Sequence, residues 1–446
     1  MKTTFIHIAD VHLGNVQYGN DERFDDFYKA LVGIFDAAIA QQVQFVIVAG
    51  DIFHKRAIDA QTLYQATNAF GRLRQAGIPV IVIEGNHDKA YYSDGSVSWL
   101  SFLAYTSDIT LLAHTYDQDQ IGFPLVPDNQ RFGGAVDIPN TGIRIYGITW
   151  AGSQTARFIH ATGDYLRSMQ AEEAEQGVKY RILMIHTGLD GIVPSLHGLP
   201  TPAQFEPLRG LVDYVAMGHV HKPFVFEDWL YNPGSTETVS AEEYEWHRGY
   251  YLVTVDTDSL NQPRHVAQHI ENHKRPFIRW SFAVDGLPTP EDLIAKFSAS
   301  IDRHIPKQYS TDLKESAPVV DVTLRGRLAF DQNALDRKKI EELVTARLHP
   351  LHVIIRNQTD SFDAVYSESE SANDDASLQL LEQHIFAAQF DRDSRYSDQS
   401  VAWAKVLADV KRYALDGDAP AAIATWLTEE RIRIEETTRV SQQNDN

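Results

Sequence analysis

Three apolar runs near the start of the chain each end on a residue that burial of hydrophobic surface does not explain. Thr3-Thr4-Phe5-Ile6-His7-Ile8-Ala9 runs into Asp10, and Val43 to Ala49 runs into Gly50-Asp51. Ile78-Pro79-Val80-Ile81-Val82-Ile83 runs through Glu84 into Gly85-Asn86-His87-Asp88. Short apolar runs bounded by glycine and polar residues read as buried strands. Two patterns of helical period lie between them. Phe24, Phe27, Leu31, Ile34, Phe35 and Ala38 recur along 22–41, and a second helix is expected over 59–76, closed by Gly77. Strand, helix, strand, helix, strand implies an α/β core with parallel pairing. In such sheets functional groups gather beyond the carboxyl ends of the strands, where Asp10, Asp51 and Asn86 all fall.

Further along, a helix is expected over 95–106 and loops over 114–140. Strands are expected at 142–148, at 180–185 ending on His186, and at 212–217 ending on Gly218-His219-Val220-His221. Short strands near 223–226 and 249–256 have a more antiparallel character. The expected fold class for 1–273 is a two-sheet sandwich flanked by helices. Residues 274–362 alternate strand, helix, strand, helix, strand and read as a separate small α/β domain. Residues 363–377 form an acidic linker. Residues 378–446 form a helical tail, with patterns at 397–415 and 418–436 around Gly417. Val401, Trp403, Val406, Leu407, Ile423, Trp426 and Leu427 give that tail more apolar surface than a solvated tail needs.

The chain contains no cysteine, which excludes disulfides, thiolate catalysis and Cys-ligated zinc. A bound metal must be held by His, Asp, Glu or Asn, which favours Mn, Mg or Fe. No run of about 18 apolar residues is present, so no membrane span is expected. The start of the chain is too short and polar for a signal peptide, and a cytoplasmic location is expected. The net charge of −21 argues against a free-standing, non-specific DNA binder. Only 274–362 is slightly basic.

Taken singly, an Asp after a strand is as readily a helix cap, and a lone His is more often a satisfied loop residue. The combination carries the metal reading. A two-metal hydrolase needs three or four protein ligands per ion and a bridging carboxylate. Asp10, His12 and His221 suit one ion, Asn86, His186 and His219 the other, and Asp51 can bridge. The D-x-H and H-x-H spacings put alternate side chains on one side of an extended segment. His87 is the candidate general acid or phosphate donor, with Asp88 holding its other nitrogen. His54 is placed to touch substrate. His7, His114, His160, His197 and His247 read as structural or exposed.

The set D-x-H, G-D, G-N-H-D, H and G-H-x-H resembles the calcineurin-like metallophosphoesterase superfamily. Asp10-Val11-His12-Leu13-Gly14, Gly50-Asp51-Ile52-Phe53-His54 and Asn232-Pro233-Gly234-Ser235 resemble the SbcD-type DNA double-strand-break repair nucleases, relatives of the eukaryotic meiotic recombination nuclease. The specific motifs span 1–255; beyond them only the layout of capping domain, linker and helical tail is similar. The resemblance implies a DNA exonuclease and endonuclease using two divalent ions, usually manganese, with the seven ligands named above and with His87 and His54 catalytic. It also implies a homodimer formed through helices such as 59–76 and 95–106. The C-terminal helices would dock on an SMC-like ATPase of the SbcC type. The acidic catalytic region departs from what a DNA enzyme needs, and a partner could supply the positive surface. Two alternatives stand beside this reading: a small-molecule phosphodiesterase or phosphatase of the same superfamily, and a non-catalytic scaffold for DNA ends.

Overall fold

The three apolar runs become neighbouring parallel strands. Lys2–Ile8 pairs with Phe45–Val48, and Phe45–Val48 with Val80–Ile83, with Phe5 opposite Phe45 and Val46 opposite Val80. Thr110–Leu112 and Phe132–Gly133 continue the sheet in parallel on one side. Gly249–Asp256 and then His265–Glu271 extend it antiparallel on the other, giving seven strands. A second sheet of six strands runs Phe224–Phe226, Leu230–Asn232, Tyr214–Met217, Tyr180–Ile185, Ile143–Ile148, Ala135–Ile138. The structure, a computed structural model, describes residues 2–90, 97–106, 109–118, 120–128, 130–305, 317–360, 399–416 and 419–444, with a few positions between 382 and 396. The expected linker at 363–377, and Gly417, lie outside the described residues.

Alternation along the strands sorts the core into layers. Phe5, Phe45, Ile47, Ile81 and Ile83 meet Ile145, Ile182, Met184 and Tyr214 between the two sheets. Ile6, Ile8, Val46 and Val48 point the other way, onto Leu31, Ile34 and Phe35 of helix Asp21–Ala40 and Phe70 and Leu73 of helix Ala60–Gln75. Each such buried side chain contributes about 1.5–3 kcal/mol relative to exposure. Asn20 and Asp59 cap these two helices, accepting from the backbone N–H of Glu22 and Thr62. The outer face of the second sheet packs Leu183 and Ile185 against Ile159 and Leu166 of helix Thr155–Glu175. The result is helix, sheet, sheet, helix.

Several elements escaped the sequence reading, among them strands Thr110–Leu112 and Leu230–Asn232, a helix and an edge strand. Helix Thr155–Glu175 carries a thin aliphatic stripe among charged neighbours, so its 3.6-residue period is weak. Strand His265–Glu271 is an edge strand with one largely polar face. The region 114–140, expected as loops, holds short strands at Thr115–Asp117, Gln120–Gly122, Phe132–Gly133 and Ala135–Ile138.

Residues 1–362 form one compact unit and 363–446 a second. Within the first, Phe277–Ala283, Val319–Arg327 and His352–Asp360 make a parallel three-stranded sheet. Helices Pro290–Ser300 and Arg337–Leu348 cover it through Leu293, Phe297, Ile340 and Val344. A buried ion network lies where this layer meets the sandwich. Arg23, fully buried, bonds Asp26 at 2.6 Å and Glu237 at 3.2 Å, and Arg275 bonds Asp26 at 2.8 Å. In the second unit, Ser400–Leu415 packs on Pro420–Asn444, with Tyr413 edge-on to Trp426 at 5.1 Å and Val406 buried. Val401, at 75% exposure, faces outward. No helix among the described residues is long and apolar enough to cross a membrane.

Candidate metal centre

The facing sheets bring the carboxyl ends of five strands to one rim. Asp10 and His12 follow Lys2–Ile8, Asp51 follows Phe45–Val48, and Asn86 follows Val80–Ile83. His186 follows Tyr180–Ile185, and His219 and His221 follow Tyr214–Met217. The backbone turns sharply here. Asp10, His12, Asp51 and His219 all have positive φ, at 52°, 54°, 55° and 81°, a region that side chains with a Cβ rarely adopt. Strain of this kind collects at functional sites. Gly85 is required at the rim, because a Cβ there would sit 2.7 Å from Asp51 Cγ.

All seven expected ligands are brought together. The donor atoms of Asp10, His12 and His221 lie within 4.8 Å of one another, as do those of Asp51, His186 and His219. His12 Nε2 is 3.1 Å from His221 Nε2. Asn86 Oδ1 joins the second group, 3.1 Å from His186 Nε2 and 3.0 Å from His219 Nδ1. Asp10 accepts the His219 backbone N–H on both carboxylate oxygens, which ties the two groups to each other.

The pattern of protons tests whether this cluster fits cations. His186 Nδ1 is 2.7 Å from the Ala49 carbonyl, which can only accept, so Nδ1 carries the hydrogen. A neutral His186 then turns the Nε2 lone pair onto Asp51 Oδ2 at 3.2 Å, another acceptor. His221 Nδ1 likewise donates to Glu243 at 2.8 Å, leaving Nε2 to face His12. Lone pairs converging in a buried place call for a positive centre. The titration tendencies agree. Burial pushes His186 down, but the charge of Asp51 and its hydrogen bond outweigh it and raise the group to about 9. Burial lifts Asp10 to about 6. Burial, then the charge of His186, lowers His219 to about 4, and burial, then His221, holds His12 well below the usual imidazole range.

A pH profile follows. The folded value of His186, about 9, lies above its ordinary 6.5. Its charged form therefore stabilises the metal-free chain fully below pH 6.5 and loses that contribution as pH rises through about 9. In chelator, the melting temperature should fall across this window. A divalent cation takes the proton's place and should flatten the fall. A chelated protein whose melting temperature is level from pH 6.5 to 9 would contradict the assignment.

His87 borders the cluster, its ring 5.1 Å from that of His12. Its Nδ1 meets the backbone carbonyl of His54 at 2.7 Å and so donates, which leaves proton exchange to Nε2. Asp88 does not hold His87, as the sequence suggested. Its buried carboxylate instead accepts the backbone N–H groups of Ile52, Phe53 and Gly85, at 3.2, 2.9 and 3.1 Å. It stitches the Asp51 turn to the Asn86 turn, so its role is architectural. The half-buried His54 has Nδ1 3.4 Å from His12 Nδ1. His7 is structural: it sits between the sheets, 3.0 Å from Tyr214 Oη and 3.1 Å from the Met217 carbonyl. His160 and His247 are exposed.

The sequence reading missed Glu243 and Arg248. Glu243 fixes His221 and is itself held by Arg248 Nη2 at 3.0 Å, while Arg248 Nη1 reaches the His221 carbonyl at 2.8 Å. No motif marks them. Only a buried Arg within an acidic stretch, Glu242-Glu243-Tyr244-Glu245-Trp246-His247-Arg248, hints at a partner.

Comparison with known proteins places this geometry. Residues 3–223 match the family described as calcineurin-like phosphoesterase. Three similar curated proteins share the name DNA double-strand break repair protein Mre11. That of Archaeoglobus fulgidus is 27% identical over 247 residues, covering 54% of this chain and 51% of the relative. That of Methanosarcina mazei is 28% identical over 350 residues, covering 77% and 48%. That of Haloferax volcanii is 25% identical over 453 residues, covering 98% and 88%. Against the first two, the chain spans about half the relative's own length.

Proposed function

This chain carries a calcineurin-like phosphoesterase domain over residues 3–223, and on that premise we propose that it is a metal-dependent DNA exonuclease and endonuclease, the nuclease subunit of an SbcCD-like repair complex. The observation that carries the hydrolytic part is the pair of convergent ligand groups on one rim. Two divalent ions are proposed there, with Asp10, His12 and His221 on one and Asn86, His186 and His219 on the other, and Asp51 shared. Manganese is favoured, with magnesium and iron compatible with an all-nitrogen and oxygen donor set. Bound ions of this kind acidify water and neutralise a phosphodiester. The chain's own residues do the rest. Asp88 holds the two ligand turns in register, and Glu243 fixes which nitrogen His221 presents. His87, held at Nδ1, offers Nε2 to the leaving oxygen, and His54 contacts substrate from the same side.

DNA is favoured as substrate by the relatives' shared name and by the extra layers on the catalytic domain. We read 1–273 as the nuclease domain, 274–362 as a capping domain and 378–446 as a tail that docks an SMC-like ATPase of the SbcC type. Apolar residues left exposed on the tail, Val401, Leu407 and Leu427, support that last assignment. Tyr64, Val97, Phe102 and Tyr105 are exposed on or beside helices Ala60–Gln75 and Trp99–Tyr105, which supports a homodimer through that face.

The test is hydrolysis of end-labelled double-stranded DNA with Mn, beside a generic small phosphodiester. Shortening of the DNA is expected. Turnover of the small diester alone would move the function to a small-molecule phosphodiesterase of the same superfamily, the alternative reading. Deleting 378–446 should leave basal Mn-dependent cleavage within about twofold and abolish binding of the ATPase. Partner binding that survives the deletion would refute the tail assignment.

A further inference from the structure

The two ligand groups rest on different supports. For the second group these lie inside the sandwich: the Ala49 carbonyl under His186, the His87 backbone N–H on Asp51 at 2.9 Å, and Arg56 on the Asn86 carbonyl at 3.2 Å. The first group shares this support, with the backbone N–H groups of Asp10 and His12 on the Gly50 and Asp51 carbonyls at 3.0 Å, and is braced from outside as well. Glu243, which fixes His221, sits in the turn Ala241–Glu243. The preceding residue, Glu242, pairs at 2.8 Å with Arg356 of strand His352–Asp360. Arg356 is itself anchored on Asp321, fully buried in the adjacent strand, at 3.0 Å. Glu242 and Glu243 are adjacent in one tight turn, so a displacement of Arg356 is passed to the carboxylate that orients His221.

The segment that follows His12 is held by the same layer. Five residues on from Leu13, Tyr18 stacks flat on His352, with ring centroids 4.7 Å apart and 10° between planes. Tyr18 is held at φ 60° to do so. Two residues later Asn20 reaches the Leu351 carbonyl at 3.5 Å. Gln17, just before Tyr18, donates to the Val239 carbonyl at 2.7 Å, at the head of the turn that carries Glu242 and Glu243. The segment after His12 and the turn that carries Glu243 are thus both tied to one edge of the three-stranded sheet.

We propose that Arg356, Glu242 and Tyr18 are positioning residues through which the 274–362 layer sets cation affinity at the Asp10–His12–His221 site more strongly than at the Asp51–Asn86–His186–His219 site. The inference rests on the two-cation reading above. The two sites are then unequal by construction. The first binds most tightly while the layer is seated, and whatever shifts the layer weakens it more than the second.

The physical basis is the known sensitivity of ligands to the groups behind them, since removing an orienting partner weakens metal affinity about 10–100-fold. Arg356 acts one residue further out, so the lower end of that range, about tenfold, is expected.

The experiment is calorimetric titration of the full chain with Mn²⁺ alone, with electron paramagnetic resonance to count bound ions. It compares the unaltered protein with Arg356→Ala, Glu242→Gln and Tyr18→Ala. Arg347→Ala, which breaks an exposed pair with Asp302 on the far helix, serves as control. Glu242→Gln keeps Arg356 on Asp321 and so guards against misfolding, as does a melting curve for each variant. The expected result is two binding events in the unaltered chain and the control. In the three variants one event should weaken about tenfold, with the other within twofold. Two unchanged events in every variant, or equal weakening of both, would overturn the coupling while leaving the two-cation site intact. Fewer than two events in the unaltered chain would instead overturn the two-cation reading, and the coupling with it.

Discussion

Asp51→Asn should lower the proposed Mn-dependent DNA hydrolysis by at least about a thousandfold, roughly 4 kcal/mol of lost transition-state stabilisation. Asparagine is the informative replacement because it isolates the charge. It tolerates the left-handed backbone that Asp51 adopts at φ 55°, and it can still accept the His87 backbone N–H at the Oδ1 position. What it removes is the anion that His186 faces at 3.2 Å. Bound metal should therefore drop by at least one ion, and the metal-free chain should lose the pH-dependent stabilisation that the His186–Asp51 pair gives it. Activity retained within tenfold would mean that Asp51 is not shared between the two cations.

Arg23→Met should be the most damaging single change for stability outside the rim. The guanidinium has no exposed surface, and it bonds Gln17 at 2.8 Å, Asp26 at 2.6 Å, the Thr238 carbonyl at 2.8 Å and Glu237 at 3.2 Å. Methionine fills part of the volume but leaves Glu237 buried without its cation. Removing one partner of a buried ion pair typically costs about 3–5 kcal/mol, which corresponds to a fall of roughly 4–7 °C in the melting temperature of a domain this size. An exposed pair such as Arg433–Glu430 should be removable with little effect. Differential scanning calorimetry of both variants decides the matter. A shift under about 2 °C for Arg23→Met would show that the network is compensated by Arg275, which also reaches Asp26.

The residues that gather at the rim were readable because of how parallel sheets work. A polar residue at the end of a buried run is visible in one dimension, and the fold gathers all such ends at one rim, so Asp10, Asp51, Asn86, His186 and His219 could be grouped without coordinates. The layer behind them was not readable. Glu243 lies 22 residues from His221 in an irregular segment, where neither period nor spacing reports contact. Asp88 was misassigned because sequence adjacency to His87 suggested a side-chain bond. At a tight turn, adjacent side chains diverge, and the carboxylate turns back onto three backbone N–H groups. Among the helices, Asp21–Ala40 and Ala60–Gln75 were legible from broad apolar stripes, while Thr155–Glu175 was hidden by its narrow one.

The four left-handed residues at the rim have a consequence for how such a chain changes over generations. Asp10, His12, Asp51 and His219 each occupy a backbone state that glycine enters freely, and any other residue does so at about 1–2 kcal/mol. Selection against backbone strain alone would push these positions toward glycine, at the loss of the proposed ligands. Durability and chemistry pull on the same four residues in opposite directions. Stabilising substitutions compatible with ion binding must be sought away from the rim.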